Sequence, residues 1–279
     1  MTPYEQAQVA RIKRWKLNEP GTVAGSLKTA GEFMRYVTRP FKIVTAPLSK
    51  ALTTIISDKP VVVALGAAND LGKWLVDEKD ILRRAKVNSL DRIGDLGLKA
   101  SDRMAEEVRG WATGLAGMEG FATGSAGFLL MGVDIVALIS LSFRTIHKIG
   151  LCYGYRLEGT QGERFALCVL AAATADEPQK RATALSLVKK IESNLLEESI
   201  DGLIKRSARR YIAGRGLFFT GKGAAQHFGI HMGRGKLMQL APLVGAAVGG
   251  VSNVIHMNKV GWAARRMFQE RWLKDRGKI

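Results

Sequence analysis

Apolar residues recur at helical spacing from one end of this chain to the other. Residues 2–17 place Tyr4, Val9 (or Ala10), Ile12 and Trp15 toward one side, with Arg11, Lys13, Arg14 and Lys16 around the other. Asn18, Pro20 and Gly21 stop that helix. Residues 22–57 read as short helices broken at Pro40 and Pro47. Ser57-Asp58-Lys59-Pro60 then supplies a capping residue and a proline suited to a first helical turn. Val61, Val62 and Val63 would suit a strand, but Val61, Leu65, Ala68, Leu71 (or Gly72) and Leu75 continue at helical spacing through Trp74, so a helix is predicted.

Further helices are predicted over 78–86, 88–109 and 112–126, with a central apolar helix over 128–152. After Tyr153-Gly154-Tyr155, Glu163 opens a second apolar helix that runs to Ala173. Asp176-Glu177-Pro178 caps the next, whose stripe is Ala182, Leu185, Val188, Ile191 and Leu195. Residues 199–212 read as a basic helix, glycines thin the pattern from 214 to 235, and two tail helices are expected at about 237–256 and 258–274. The predicted fold is all-α, a multi-helix bundle in which two glycine-rich apolar helices pack centrally. Residues 1–50 form an N-terminal amphipathic arm and 51–279 the main helical domain.

The glycines behind that prediction stand at steps of three and four. Gly114, Gly117, Gly120, Gly124 and Gly127 form one ridge, and Gly245, Gly249 and Gly250 repeat the spacing in the tail. Within the central helix Asp134 is surrounded in sequence by Leu, Met, Val and Ile, and an unpaired charge there would cost several kcal/mol. Arg144 lies ten residues on, roughly 15 Å along a continuous helix, so the two cannot pair within it. Each must look to another helix, to a bound group or to water, unless the helix breaks between them. Either each is neutralised by an interhelical partner that fixes register, or Asp134 lines a polar cleft or contacts a partner.

Val133-Asp134-Ile135, Arg144 and the Tyr153-Gly154-Tyr155 turn resemble the signature of the EcsC family, bacterial proteins named for a companion of an ABC transporter. The tail is similar too: Ala241 to Asn253, then Val260, Ala263, Ala264, Phe268 and Arg271-Trp272. The likeness spans roughly residues 50 to 275, with Val136 standing where the family often has proline. The resemblance implies an association with membranes and transport, an ABC transporter or other membrane protein as partner, and no particular reaction.

Charge sharpens this expectation. The net charge of +17 is divided as +6 over residues 1–110, zero over 111–170 and +11 over 171–279. No carboxylate occurs between Asp201 and Glu270, while Lys205, Arg206, Arg209, Arg210, Arg215, Lys222, Arg234, Lys236, Lys259, Arg265 and Arg266 do. Such a region must meet something anionic or repel itself. Lys205 to Lys236 are the expected contacts to anionic lipid. Leu237, Leu240, Leu243, Val244, Val248 and Val251 are the expected inserting side chains. The uncharged run Leu237 to Asn258 is long enough to span a bilayer, but Gln239, Pro242, Ser252, Asn253, His256 and Asn258 make it a poor span, so a re-entrant, interfacial or buried helix is expected.

Two other readings compete. The same basic surface could hold nucleic acid, with Tyr211, Phe218 and Phe219 stacking on bases. A metal-dependent or lipid-modifying hydrolase would use Asp134, Arg144, His227 and His231. The two histidines would share a helix face, but no carboxylate lies within about twenty residues to complete a metal site. Ser140 and His147 lie seven apart and could face the same way, but Asp134 is rotated well off that line and no strained nucleophile turn is present. A Cys152 with His147 dyad fails for the same angular reason within one helix. No metal or cofactor is therefore expected and no reaction is assigned. Cys152 and Cys168 sit in apolar runs, as inert thiols of a reducing compartment do, and the N-terminus lacks a signal-peptide core. Together these point to the cytoplasmic face of the cell membrane.

Overall fold

The structure, a computed structural model, describes residues 1–17, 61–125, 131–175, 179, 181–186 and 234–279, of which 61–67, 119–125, 131–136 and 234–252 are described by backbone alone. All regular structure among the described residues is helical. The helices are α1 (Pro3–Lys16), α2 (Val61–Trp74), α3 (Glu78–Ala85), α4 (Leu90–Asp95), α5 (Leu98–Ser125), α6 (Met131–Cys152), α7 (Gly159–Thr174) and α8 (Arg234–Asp275). A further helical stretch covers 181–186.

Local chemistry sets several of the boundaries. Thr2 and Glu5 form a reciprocal capping box at the start of α1, with Pro3 in its first turn. Lys86 closes α3 in the left-handed conformation, at φ +56°. Gly97, at φ +82°, makes the break between α4 and α5, a conformation costly for any residue with a Cβ. The predicted break near residue 110 is absent, because Gly110 and Gly114 are carried inside α5 with open space beside them. Glycine lowers helix propensity but does not end a helix that is buried along one side. In α7 the helix begins at Gly159, one turn ahead of the expected Glu163. The expected stripe through Ala182 and Leu185 is rotated: Ala184 and Arg181 are buried, Leu185 is half-buried and Ala182 is exposed.

The two tail helices are one. α8 runs unbroken for 42 residues, about 63 Å at the usual rise, through the polar positions that read as a break. His256 and Asn258 are buried there and hydrogen-bonded across to α6 and α5.

α5 and α8 share the largest interface and run antiparallel, since Asp102 meets Gln269, Glu106 meets Arg265 and Arg109 meets Asn258. α6 packs against both and against α2, α7 lies on α8, and α1 docks across α8 and α5. The core gathers Ile81, Ile93, Leu98, Phe143, Ile146, Ile149, Phe165, Val260 and Phe268 from six helices. Two helix backbones come close at Gly72. A Cβ there would lie 2.7 Å from the Phe143 Cβ and 2.8 Å from Arg144 N and Ser140 O, so α2 and α6 meet through that missing methyl.

Candidate functional site

Asp134 lies on the backbone of α6, and its side chain falls outside the described residues. Arg144 sits ten residues on and serves α2: its Nε donates to the Leu75 carbonyl at 3.1 Å, just beyond the C-terminal end of that helix. Its guanidinium lies 4.6 Å from the centre of the Trp111 ring. Burial draws the pKa of Arg144 down, with Asp80 opposing. One turn later Lys148 also faces Trp111 and pairs with Asp80 at 2.8 Å. Burial pushes Asp80 up, but Lys148, Arg84 and Arg83 outweigh it and hold the carboxyl well below its ordinary range.

The Tyr-Gly-Tyr turn behaves differently. Gly154, at φ +85°, passes within van der Waals reach of the Gly94 and Leu90 backbones and reverses the chain, and Tyr155 N donates to Gly150 O at 2.9 Å. Tyr153 thereby points into the core and Tyr155 toward α8. Tyr155 stacks on Phe268 at 5.9 Å and donates its hydroxyl to Asp275 at 2.7 Å. Arg144 and the two tyrosines therefore meet different partners and share no cleft.

Tyr153 leads to a residue that the sequence reading passed over. Its hydroxyl donates to Asp102, which is 1 % exposed on α5. Asp102 also accepts from Tyr4 Oη at 2.6 Å and from Gln269 Nε2 at 2.7 and 2.8 Å, and Arg265 stands 3.5 Å away. Around this hub Arg265 donates to Glu106 at 2.8 Å. Arg266 donates to Gln8 and Gln269 at 2.9 and 2.7 Å, and Arg109 joins Glu106 to Asn258. Trp262 lies under the guanidiniums of Arg109, Arg265 and Arg266 at 5.0, 5.1 and 4.8 Å. Burial and Asp102 push Tyr4 up to about 12 and Tyr153 well above its ordinary value. Burial pulls both arginines down. In Arg265 Asp102 and Glu106 reverse the shift, while Arg266, beside Arg265, falls to about 10.

This network revises the reading of the basic tail. Arg265 and Arg266 belong to the carboxylate-free run, yet Arg265 pairs with Asp102 and Glu106, far earlier in the chain, and Arg266 is bound by Gln8 and Gln269. They are interior ties between α8, α5 and α1 and not lipid contacts. The α1 helix is likewise held by a polar face: Glu5, Gln8 and Ile12 are buried, Lys278 pairs with Glu5 at 2.5 Å and Lys16 with Glu270 at 2.7 Å. Tyr4, Val9 and Trp15 pack half-buried against the core, so the expected apolar side does face inward.

A second, neutral layer runs along α6. His147 Nε2 is 2.9 Å from Asn69 Oδ1, and burial, helped by Lys73, lowers its pKa to about 4. Ser142 Oγ donates to the Leu138 carbonyl at 2.7 Å and sits 3.0 Å from His256 Nε2. With its proton on Leu138, the hydroxyl accepts from His256, which leaves that histidine unable to act as its base. Cys152 and Cys168 are free, buried thiols pushed up to about 12 by burial, which makes both inert.

The eight cations from Lys205 to Lys236, the histidines His227 and His231, and Tyr211, Phe218 and Phe219 fall outside the described side chains. So do Leu237, Leu240, Leu243, Val244, Val248 and Val251, although the backbone at those six positions is helical in α8. Among the described residues no group of three or more His, Cys, Asp or Glu is placed to hold a metal ion. No helix among them is long and apolar enough to cross a membrane. Asp102 was findable from sequence, because it stands at helical spacing between Leu98, Ala105 and Val108, on a buried stripe.

Comparison with known proteins accords with the family resemblance. The chain is 24% identical over 212 residues to the uncharacterized protein YdbA of Bacillus subtilis (strain 168), covering 74% of this chain and 72% of that protein. It is 26% identical over 180 residues to Protein EcsC of the same organism, covering 64% of this chain and 67% of that one. No solved structure matches. The EcsC protein family matches residues 27–273, nearly the whole length, and the chain belongs to that family.

Proposed function

We propose that this protein is a peripheral membrane protein that binds anionic lipid surfaces and works as an accessory to a transporter or envelope process, with no reaction assigned. The observation that carries the reading is the absence of any carboxylate between Asp201 and Glu270. Once Arg265 and Arg266 are assigned to the interior, eight cations remain between Lys205 and Lys236 with no carboxylate among them. Each basic side chain near an anionic bilayer contributes about 1 kcal/mol, so half of the eight acting together suffice to hold the chain there. Leu237, Leu240, Val244, Val248 and Val251 follow at helical spacing along one face of α8, with Leu243 beside them, and supply the shallow apolar contact.

Sedimentation with vesicles containing anionic lipid tests the proposal. Binding is expected at low salt, falling as salt rises, and is expected to be lost when Lys205, Arg206, Arg209 and Arg210 are changed together to glutamate. Absence of binding at low salt overturns it. A salt-dependent gel shift with DNA or RNA in the absence of vesicle binding would transfer the same cations to the competing nucleic-acid reading.

A further inference from the structure

Beside the C-terminal end of α1 lies a cleft of about 300 Å³, at the lower end of the range for small-molecule sites. Its floor is apolar, made by Phe165 of α7, Met267 of α8 and Leu185 of the 181–186 stretch. Leu17, 68% exposed, stands at the mouth and leaves a large apolar side chain in water.

The rim is basic. Lys16 and Lys274 both turn to Glu270, at 2.7 and 3.5 Å. Arg271 lies over the Tyr155 and Phe165 rings at 4.6 and 5.5 Å, and its carboxylate, Asp275, is 3.8 Å away and half exposed. Of the charged side chains that line the cleft, three are cations, Lys16, Arg271 and Lys274, and one is a carboxylate, Glu270.

We infer that this cleft takes a single alkyl or acyl chain carrying a terminal anionic headgroup. The chain lies against Phe165, Met267 and Leu185, and the headgroup meets Arg271. A cleft of about 300 Å³ has the size for one chain and not for two. The inference rests on the anionic-lipid reading above and narrows it to a ligand class at a site separate from the Lys205 to Lys236 cations.

Calorimetric titration of the full chain with dodecyl phosphate, below its micellar concentration, tests it, with inorganic phosphate as the chainless control. Saturable binding of one dodecyl phosphate per chain is expected, and none of inorganic phosphate. Ala182→Trp fills the cleft from an exposed position, and Arg271→Gln removes the headgroup contact. Each is expected to weaken binding at least tenfold. No saturable binding, or binding unchanged in both variants, overturns the inference. Neither variant touches the cations proposed for vesicle binding, so the two ideas fail separately. A chain that sediments with anionic vesicles but ignores dodecyl phosphate loses the cleft and keeps the surface role; one that binds dodecyl phosphate without sedimenting does the reverse.

Discussion

The two polar layers buried in this protein solve the same desolvation problem in opposite ways. Around Asp102 the groups are charged, and α1, α5, α8 and the Tyr153 turn converge to supply a donor for each carboxylate oxygen. Along α6 the links are single hydrogen bonds: His147, kept neutral by burial, with Asn69, and Ser142 with His256. A buried charge requires partners from several elements, because one missing partner leaves the full cost of its dehydration. A buried neutral histidine requires only one hydrogen bond and the continued absence of a proton. The charged layer therefore depends on assembly, and the neutral layer on pH.

The largest test of this contrast removes the hub. Asp102→Ala leaves Tyr4, Tyr153, Gln269 and Arg265 without their common acceptor, and is expected to cost about 3–5 kcal/mol in urea unfolding. A loss below about 1 kcal/mol would show that the arginines and amides re-pair without it, and would erase the distinction between the layers.

Acid probes the other layer. His147 titrates near 4 when folded and near 6.5 when unfolded, so below pH 6.5 the unfolded chain binds the additional proton. Stability is full above pH 6.5 and is lost as pH falls toward 4, by about 3 kcal/mol at 1.36 kcal/mol per pKa unit. Glu5 and Glu106, whose folded pKa values are lowered from 4.5, withdraw their contributions only as pH falls below that value. Denaturation midpoints measured across pH 7 to 3 are expected to fall in two stages, and His147→Gln is expected to flatten the first while leaving the second. A wild-type profile level down to pH 4.5 would contradict the neutral layer.

The glycines provide the finest comparison. Gly72→Ala drives a methyl into the α6 backbone and is expected to destabilise by about 1–3 kcal/mol, read from the thermal midpoint. Gly114→Ala meets nothing within 4 Å and is expected to stabilise by up to about 1 kcal/mol through helix propensity alone. The reverse ranking would mean that α2 and α6 yield to each other more readily than their contact distances imply.

Much of the helical layout was legible in the pattern of apolar positions. The first helix, the helix through the three valines and the central apolar helix all stand where the spacing put them. Two boundaries differ because burial along one side carries a helix through glycines and polar residues. Gly110 and the His256 to Asn258 segment are both helical, while the break near Gly97 depends on a positive φ that composition does not display. The site was less legible. Tyr153 belongs to the motif, but its partner Asp102 carries only a weak signal, its helical spacing with Leu98, Ala105 and Val108, until α1 and α8 close over it. Conversely, the sequence suggested that Arg265 and Arg266 faced outward, since the acids that neutralise them lie in another helix. Charge counted along a chain measures surface potential only where no distant element folds back to cancel it.

The reversal at Gly154 puts two aromatic rings in mechanical series. Tyr153 is anchored at the hub and Tyr155 rests beneath Arg271, with one glycine between them. A tilt of either ring has to be absorbed by that glycine or transmitted to the other ring. The joint thus sets how far the outer edge of the bundle can flex before its interior registers the movement.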